Sequence, residues 1–137
     1  MVKQGLQQGH RITAFVRDSF RLPVRHAELS IAQGDAMSPS QVERAVKCKD
    51  VVISSLGVTR HTMVTVCSEG TKNIITAMKR NNVNRLIVES AYGAGNTKKD
   101  FYGNLLWVVI RGPIQDKGIM EQAVEQSGLD WIMARPV

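Results

Sequence analysis

Three arginines stand at and just beyond the end of the first strand-like segment of this sequence. The segment runs from Arg11 to Arg17, and Arg21 and Arg25 follow it. If this segment were the second strand of a dinucleotide-binding sheet, its last residue would face the adenosine ribose. An acidic side chain at that position selects NAD. An arginine at that position instead suits the 2′-phosphate of NADP, because a planar guanidinium binds phosphate oxygens in pairs. An ordinary exposed arginine in a basic loop is an equally good interpretation of these residues alone.

The glycine-rich loop that holds the pyrophosphate in such a sheet has no counterpart in the sequence. Its glycines let backbone amides at a helix N-terminus approach the phosphates. Gly5 and Gly9 fall inside and after a helix-like segment, and Gly93 and Gly95 in "YGAGN" lack a third glycine. By this motif alone, the sequence does not predict a dinucleotide site.

Length and composition predict one domain with a hydrophobic core, since the chain has 137 residues of which 43% are hydrophobic. The net charge of +6 favours anionic partners. The basic residues are spread along the chain, however, and no run exceeds the pair Lys98 and Lys99. Aromatic residues make up only 5% of the chain, so surfaces on which bases could stack are scarce. We predict a solvated basic surface and no nucleic-acid partner.

The two cysteines, Cys48 and Cys67, stand alone and lack the paired spacing of a zinc site. This pattern predicts no metal site and a reduced, cytoplasmic protein in which the cysteines are small core residues. The longest fully apolar run, Leu105 to Ile110, is far too short to cross a bilayer. We therefore predict no membrane partner.

Strand-like and helix-like segments alternate along the whole sequence. Strands are predicted at 11–17, 29–35, 50–57, 84–90 and 130–136, and helices at 2–8, 38–47, 62–82 and 113–126. A loop is predicted at 91–104, and the run LLWVVI at 105–110 is ambiguous between a strand and a short helix. Alternation with short connections predicts an α/β fold, a doubly wound parallel sheet of the Rossmann-like kind with helices on both faces.

Two of these segments carry more specific local predictions. Ser38 and Pro39 are suited to the start of the second helix, and Ser40 with Glu43 has the spacing of a capping box. The compact apolar run at 50–57 is typical of a strand that is covered on both faces.

Several motifs, taken in order, resemble one family. They are HRITAFVRDSFRLP, the pair Gly34-Asp35, VVISSLG, SEGTKNIITAMKRNNVNRLIVESA and EQSGLDWIMARP. Together they are similar to the atypical short-chain dehydrogenases, an NAD(P)H-binding group that includes biliverdin-IXβ/flavin reductase and the NmrA-like proteins. The resemblance runs from about Gly5 to Pro136. It implies a Rossmann-like domain whose first strand and glycine-rich loop are missing, so that the chain resembles such a protein trimmed at both ends.

The resemblance implies cofactor-binding positions along one edge of the sheet. Two basic residues match those that grip the adenosine 2′-phosphate, a pair after the next strand matches the positions beside the adenine, and three residues match the strand end beneath the cofactor backbone. The two basic residues are Arg17 and Arg21, the pair beside the adenine is Asp35 and Ala36, and the strand end consists of Ser55, Leu56 and Gly57. The implied cofactor is NADP, bound as NADPH, rather than NAD.

The resemblance also implies catalytic and substrate positions. Ser90 matches a serine near the nicotinamide, whose hydroxyl would hydrogen-bond an acceptor, and Tyr92 and Pro136 match substrate contacts. Familiar short-chain enzymes add a Tyr-x-x-x-Lys motif for proton transfer. Lys117 stands at the lysine position here, but Pro113 occupies the tyrosine position. This departure disfavours alcohol or ketone chemistry.

Two functions follow as hypotheses. The first is NADPH-dependent reduction of a planar small-molecule acceptor such as a flavin or quinone, which asks less of a protein acid because the acceptor is already electron-poor. The alternative is an NmrA-like dinucleotide sensor without enzymatic activity, or an inactive fragment.

The strand order of such folds adds an expectation about this chain itself. In the order 3-2-1-4-5-6 the first strand is central. Without it, the strands on either side keep unpaired edges in the middle of the sheet, unless they close up or recruit another chain. We therefore expect these 137 residues to bind NADP weakly or not at all.

Overall fold

The structure, a computed structural model, describes residues 1–58, 65–90 and 103–135, with residues 103–113 described by their backbone. Helices and strands alternate as the sequence predicts. In chain order they are α1 (Val2–Gln7), β1 (Ile12–Val16), a 3-10 turn (Ser19–Arg21), β2 (Leu29–Gln33), α2 (Pro39–Val46), β3 (Val51–Ser54), α3 (Val66–Arg80), β4 (Arg85–Glu89), α4 (Gly103–Glu125) and β5 (Asp130–Ala134). No helix in the described ranges is long and apolar enough to span a membrane.

The start of α2 follows the sequence prediction in part. Ser38 is the N-cap in an extended conformation and Pro39 takes the first helical position, where its fixed φ angle is already helical. The capping box predicted for Ser40 and Glu43 does not form, because Ser40 lies inside the helix and the N-cap position belongs to Ser38, whose side chain makes no bond to the helix backbone. The Ser38 hydroxyl instead lies 3.4 Å from the hydroxyl of Ser40.

The longest helix, α4, corrects the prediction for the second half of the chain. The ambiguous run at 105–110 and the predicted helix at 113–126 belong to one 23-residue helix that begins at Gly103. Pro113 therefore lies inside a helix rather than at its start, where it leaves one backbone acceptor without its usual donor. The predicted loop at 91–104 ends two residues early, and its first twelve residues lie outside the described part of the chain.

The five strands form two parallel sheets. β1 pairs with β2, and β4 pairs with β3 on one side and β5 on the other. No ladder joins β1 to β3 among the described residues. The parallel α/β fold is confirmed, and the break falls between the two strands where an unpaired edge was predicted.

Both sheets contact one shared core. It lies between the sheets and the helices α2, α3 and α4. Phe15 of β1 and Val52 of β3 both pack against this core. Its fully buried members are Val42, Cys67, Met78, Leu86, Val88, Met120 and Val124.

The opposite face of the strands is covered at one place by the described residues. There α1 packs on β1, with Gly5 so close to Ile12 that an added Cβ would lie 2.7 Å from the Ile12 side chain. On β3, Val51 and Ile53 are 44% and 51% exposed, and Ile132 of β5 is 44% exposed. The prediction that the run at 50–57 is covered on both faces is therefore wrong, because alternate side chains of β3 point away from the core.

A candidate binding site at the carboxyl edge of the sheets

The predicted site residues follow the carboxyl ends of successive strands. Because all paired strands are parallel, these ends lie at one edge of the layer, where open α/β sheets bind ligands. Arg17 follows β1, Asp35 follows β2, Ser55 follows β3 and Ser90 follows β4. Arg135, which the sequence did not single out, follows β5.

Gly70 of α3 joins the edges of the two sheets. A Cβ at this position would lie 2.8 Å from Cδ1 of Leu56 and 3.2 Å from Cβ of Ala36, so the glycine lets both loops pack directly on the helix. One turn further along α3, Asn73 donates a hydrogen bond of 2.9 Å to the Ala36 carbonyl. The structure thus brings together two predicted cofactor positions from different sheets.

The loop that contains Asp35 is held by local hydrogen bonds. The Asp35 carboxylate accepts a bond of 2.9 Å from the backbone N–H of Met37, and its own N–H donates to the Gln41 side chain at 2.8 Å. The carboxylate stays exposed to solvent. It is therefore available to a hydroxyl or amino group of a ligand.

The two predicted phosphate-binding arginines are exposed. The Arg17 carbonyl accepts a bond of 3.0 Å from the Gln33 side chain, which ties the end of β1 to β2 and leaves the guanidinium outside. Arg21 lies 3.8 Å from Asp18, and three quarters of its side chain is exposed. A solvent-exposed pair of this kind contributes little to stability, so its guanidinium can exchange Asp18 for a phosphate at small cost.

Gly57 presents an open surface. It is exposed, and a Cβ built on it meets no heavy atom within 4 Å. The glycine is therefore not required by packing within the described residues, in contrast to Gly70. Ser55 beside it is exposed, whereas Leu56 is partly buried against the core.

Ser90 belongs to a buried polar cluster that sequence reasoning missed. Its side chain is 1% exposed, and its hydroxyl donates a bond of 2.5 Å to Glu121 of α4. Glu121 also accepts bonds from two nitrogens of Arg135, at 3.1 and 2.9 Å. Burial would raise the pKa of Glu121, but the hydrogen bonds from Arg135 and Ser90 and the nearby cationic charges lower it below its usual value. Glu121 is thus ionised at neutral pH and accepts the Ser90 hydrogen.

Lys117 lies one turn before Glu121 on α4, half-buried. Its positive charge acts on Glu121 and lowers the pKa of that carboxyl. Lys117 and Ser90 are therefore both neighbours of the same carboxylate. The described contacts include no hydrogen bond between Lys117 and Ser90.

Asp116 caps α3 from a different helix. Its buried carboxylate accepts bonds from the backbone N–H groups of Cys67 at 2.8 Å and Ser68 at 3.1 Å, where α3 has no side-chain cap of its own. Those N–H groups are therefore not free to bind a phosphate. Burial, with the charge of Asp116 adding to it, raises the pKa of the Cys67 thiol to about 11. The thiol is protonated at neutral pH, as expected for a core residue. Cys48 is exposed, so the prediction that both cysteines are core residues is confirmed for Cys67 and wrong for Cys48.

The described residues fit one part of a dinucleotide better than another. Arg17, Arg21 and Asp35 offer exposed charged groups for an adenosine phosphate, and Gly57 leaves space above the neighbouring strand end. A cradle of free backbone amides for the pyrophosphate is not found among the described residues, since Asp116 occupies the start of α3. Tyr92 and Pro136, predicted as substrate contacts, lie outside the described residues. No group of three or more metal-ligating side chains occurs in the described ranges.

Comparison with known proteins places this arrangement in a family. A profile described as NAD(P)H-binding matches residues 1–137. The chain belongs to this NAD(P)H-binding family. The resemblance drawn from the sequence motifs is thereby confirmed at the level of the family.

Solved structures share the fold at low sequence identity. ChuY, an anaerobillin reductase from Escherichia coli O157:H7, has a TM-score of 0.77 and 17% identity over 98% of this chain and 64% of its own length. A short-chain dehydrogenase/reductase from Veillonella parvula in complex with NADP gives 0.75 and 17%, over 98% of this chain and 61% of that protein. The Bordetella bronchiseptica enzyme WbmH in complex with NAD+ gives 0.73 and 18%, over 98% and 49%. The chain thus spans between about half and two thirds of each of these proteins.

Proposed function

We propose that the carboxyl edge of this chain binds the adenosine part of NADP in a reductase that transfers hydride to a planar acceptor such as a flavin or quinone. The observation that supports this most strongly is the meeting of Ala36 and Leu56 on Gly70. It gathers the loops after β2 and β3 into one surface, although the two strands belong to separate sheets. Arg17, which follows β1, and Arg21, in the 3-10 turn after it, have exposed guanidinium groups.

The preference for NADP over NAD depends on the sign of the charge at the end of β1. Arg17 and Arg21 together place two positive charges where a 2′-phosphate would add about two negative ones. Charge-assisted, bidentate bonds to phosphate are about twice as strong as neutral hydrogen bonds. NAD, which carries a hydroxyl at that position, would gain nothing from the second arginine.

When bound, the cofactor would supply the hydride, and the residues of the chain would hold and orient it. Arg17 and Arg21 would fix the adenosine end, and the open surface at Gly57 would admit the cofactor backbone. Because Pro113 stands where a catalytic tyrosine would be, no proton donor of the Tyr-x-x-x-Lys type is proposed. An electron-poor acceptor can take its proton from water.

The test is a titration of the 15N-labelled chain with NADPH and, separately, NADH, followed by amide chemical shifts. We expect weak binding, in which the amides of Arg17, Asp35, Ala36 and Gly57 shift more with NADPH than with NADH. Arg17→Ala should remove the difference between the two cofactors. The control is Arg44→Ala, which changes the net charge by the same amount. Arg44 lies on the exposed face of α2 beside Lys47 and Asn81, away from the strand ends. Shifts that are equal for NADPH and NADH in the unmodified chain would refute the proposed preference, and an absence of shifts at all four amides would refute the site.

One observation favours the alternative, a dinucleotide sensor without enzymatic activity. Ser90, proposed to touch the acceptor, is buried and donates its hydroxyl hydrogen to Glu121. A serine held in this way has no hydrogen left to donate to an acceptor carbonyl. NADPH oxidation measured with a flavin or quinone separates the two functions. Turnover that survives in Ser90→Ala would support a reductase that does not use this hydroxyl, and binding without turnover would support the sensor.

A further inference from the structure

Phe20 is the most exposed of the large apolar residues in the described part of the chain, at 93%. The 3-10 turn that carries it is nevertheless held by hydrogen bonds. Asp18 is the N-cap of this turn, and its carboxylate accepts a bond of 3.0 Å from the Phe20 N–H. The Leu22 N–H closes the turn with a bond of 3.2 Å to the Ser19 carbonyl. The turn therefore fixes the backbone of Phe20 and leaves its ring almost wholly in solvent.

The turn lies at the carboxyl edge, where the chain leaves β1 beside the point at which it leaves β2. The Val16 carbonyl accepts a bond of 2.9 Å from the Gly34 N–H, and the turn itself contacts β2. Phe20 and Asp35 therefore lie in loops that follow neighbouring strand ends of one sheet. This is the edge at which open α/β sheets bind their ligands.

The charged neighbours of Phe20 indicate what its ring could bind. A single exposed apolar residue is common on protein surfaces and needs no explanation. Phe20 differs because Arg17 and Arg21, on either side of it in the sequence, have exposed guanidinium groups. An aromatic ring offers a face on which a flat base stacks, and guanidinium groups bind phosphate. The ligand chemistry that uses both is a base joined to a phosphorylated ribose.

We propose that Phe20 stacks on the adenine of the bound cofactor, while Arg17 and Arg21 hold the 2′-phosphate of the same nucleoside. This inference rests on the proposed function and adds to it the residue that recognises the base. NADP and NAD carry the same adenine, so stacking does not depend on the 2′-phosphate. Phe20 therefore contributes equally to the affinity for both cofactors, whereas Arg17 contributes to the difference between them.

A protein partner fits this position less well. The aromatic side chains that dominate protein–protein interfaces lie in well-packed, fully desolvated pockets. The exposed side chains next to Phe20 in the sequence are those of Arg17, Asp18 and Arg21, which are all charged. Leu22, the nearest other large apolar residue in the sequence, is partly buried. The ring thus has charged neighbours, which suit a phosphorylated nucleoside better than an apolar surface.

The experiment is a titration of the 15N-labelled chain with adenosine 2′,5′-bisphosphate, followed by amide chemical shifts. Phe20→Ala should weaken binding about tenfold, because stacking of a base on an aromatic ring contributes at least that order of affinity. Phe20→Tyr keeps the ring and should bind within about twofold of the unmodified chain. The control is Ile119→Ala, which removes a half-exposed apolar side chain of α4 and should change nothing. Inorganic phosphate, which has no base, should bind equally to all four chains.

Two further readouts separate stacking from an indirect effect on the fold. Nuclear Overhauser effects should connect the adenine protons with the Phe20 ring protons, and they should vanish in Phe20→Ala. Phe20→Ala should also weaken NADPH and NADH by the same factor, whereas Arg17→Ala weakens NADPH alone. Because the ring is exposed, urea denaturation of Phe20→Ala should match that of the unmodified chain.

The outcomes distinguish the stacking role from the cofactor site itself. Unchanged affinity of Phe20→Ala, with the amides of Arg17 and Asp35 still shifting, would overturn the stacking role and leave the site intact. An absence of shifts in the unmodified chain would refute the site and the stacking together. Phe20 signals that depend on protein concentration and ignore the bisphosphate would assign the ring to a contact between two copies, which would also overturn the proposal.

Discussion

The carboxyl edge of the sheets contains two regions that are built in different ways. The first region comprises Arg17, Arg21, the loop at 34–37 and the strand end at 55–57, and the second comprises Ser90, Asp116, Glu121 and Arg135. In the first, loops are fixed by hydrogen bonds from backbone N–H groups to the side chains of Gln41 and Asp35 and by close packing on Gly70, and the charged side chains stay exposed. In the second, Ser90 and Arg135 bond to Glu121, Asp116 bonds to the start of α3, and three of the four residues are buried.

The difference shows which region is free to act on a ligand. Donors and acceptors in the first region have few partners within the described residues, so a ligand can use them without breaking a buried bond. In the second region Ser90, Arg135 and the start of α3 already have carboxylate partners. We therefore expect substitutions in the second region to change stability most, and those in the first to change binding most.

The largest expected effect is that of Asp116→Ala. The substitution leaves two buried N–H groups at the start of α3 without an acceptor, and each unsatisfied donor costs about 1–3 kcal/mol. We expect the free energy of unfolding to fall by about 3 kcal/mol, measured by urea denaturation. Asp116→Asn keeps an oxygen for one of the two bonds, so the free energy of unfolding of this variant should fall by about half as much. Equal stability of the alanine variant and the unmodified chain would show that the cap is dispensable.

Asp116 also illustrates what sequence reasoning captured and missed. The second half of α4 was predicted as a helix from the spacing of Ile119, Met120, Ala123 and Val124. Met120 and Val124 are buried in the structure. Asp116 lies four residues before Met120, on the same buried face of the helix. A charged residue on a buried face needs a hydrogen-bond or ionic partner, so this position indicated that such a partner exists. The sequence could not show that this partner is the start of α3, because Asp116 and Cys67 are 49 positions apart.

The same limit applies elsewhere in the molecule. The place of Ser90 at the end of β4 was predicted from local pattern, whereas its bond to Glu121 depends on how α4 packs. The open face at Val51 and Ile53 was predicted to be covered, because an apolar run records the preference of a strand for burial and not whether anything covers it. The order of the strands, which is local, was predicted correctly, and the run at 105–110, left ambiguous by its pattern, is part of α4.

A second prediction concerns the packing that joins the two sheets. Gly70→Val would force side-chain atoms against Leu56 and the Cβ of Ala36, and overpacking of this kind costs about 2 kcal/mol. The Leu56 side chain can move aside, but Ala36 is tied by its carbonyl to Asn73. Adding Leu56→Ala should therefore restore only part of the stability, as measured in a double-mutant cycle. Full additivity of the two substitutions would indicate that they do not share a contact.

A third prediction concerns the pH dependence of the buried cluster. The folded-state pKa of Glu121 lies below its ordinary value of 4.5, so its ionised form stabilises the fold at pH values above 4.5. That contribution is lost as the pH falls through the lowered folded-state pKa. The stability difference between the unmodified chain and Glu121→Gln should be constant near neutral pH and shrink in acid. Arg135→Gln, which removes the main cause of the lowered pKa, should move this loss to higher pH, and an unchanged profile in that variant would contradict the assignment.

The smallest effect on stability is expected in the first region, where it separates binding from folding. Arg21→Ala removes only the exposed pair with Asp18, so the free energy of unfolding should change by less than about 0.5 kcal/mol. Asp18→Asn removes the same pair from the other side and serves as the control. If Arg21 is a phosphate ligand, Arg21→Ala should weaken the response to NADPH, whereas Asp18→Asn should strengthen it by freeing the guanidinium. Two variants with equal stability and opposite effects on NADPH would establish that this arginine serves the ligand rather than the fold, and equal effects on NADPH would assign it to the surface alone.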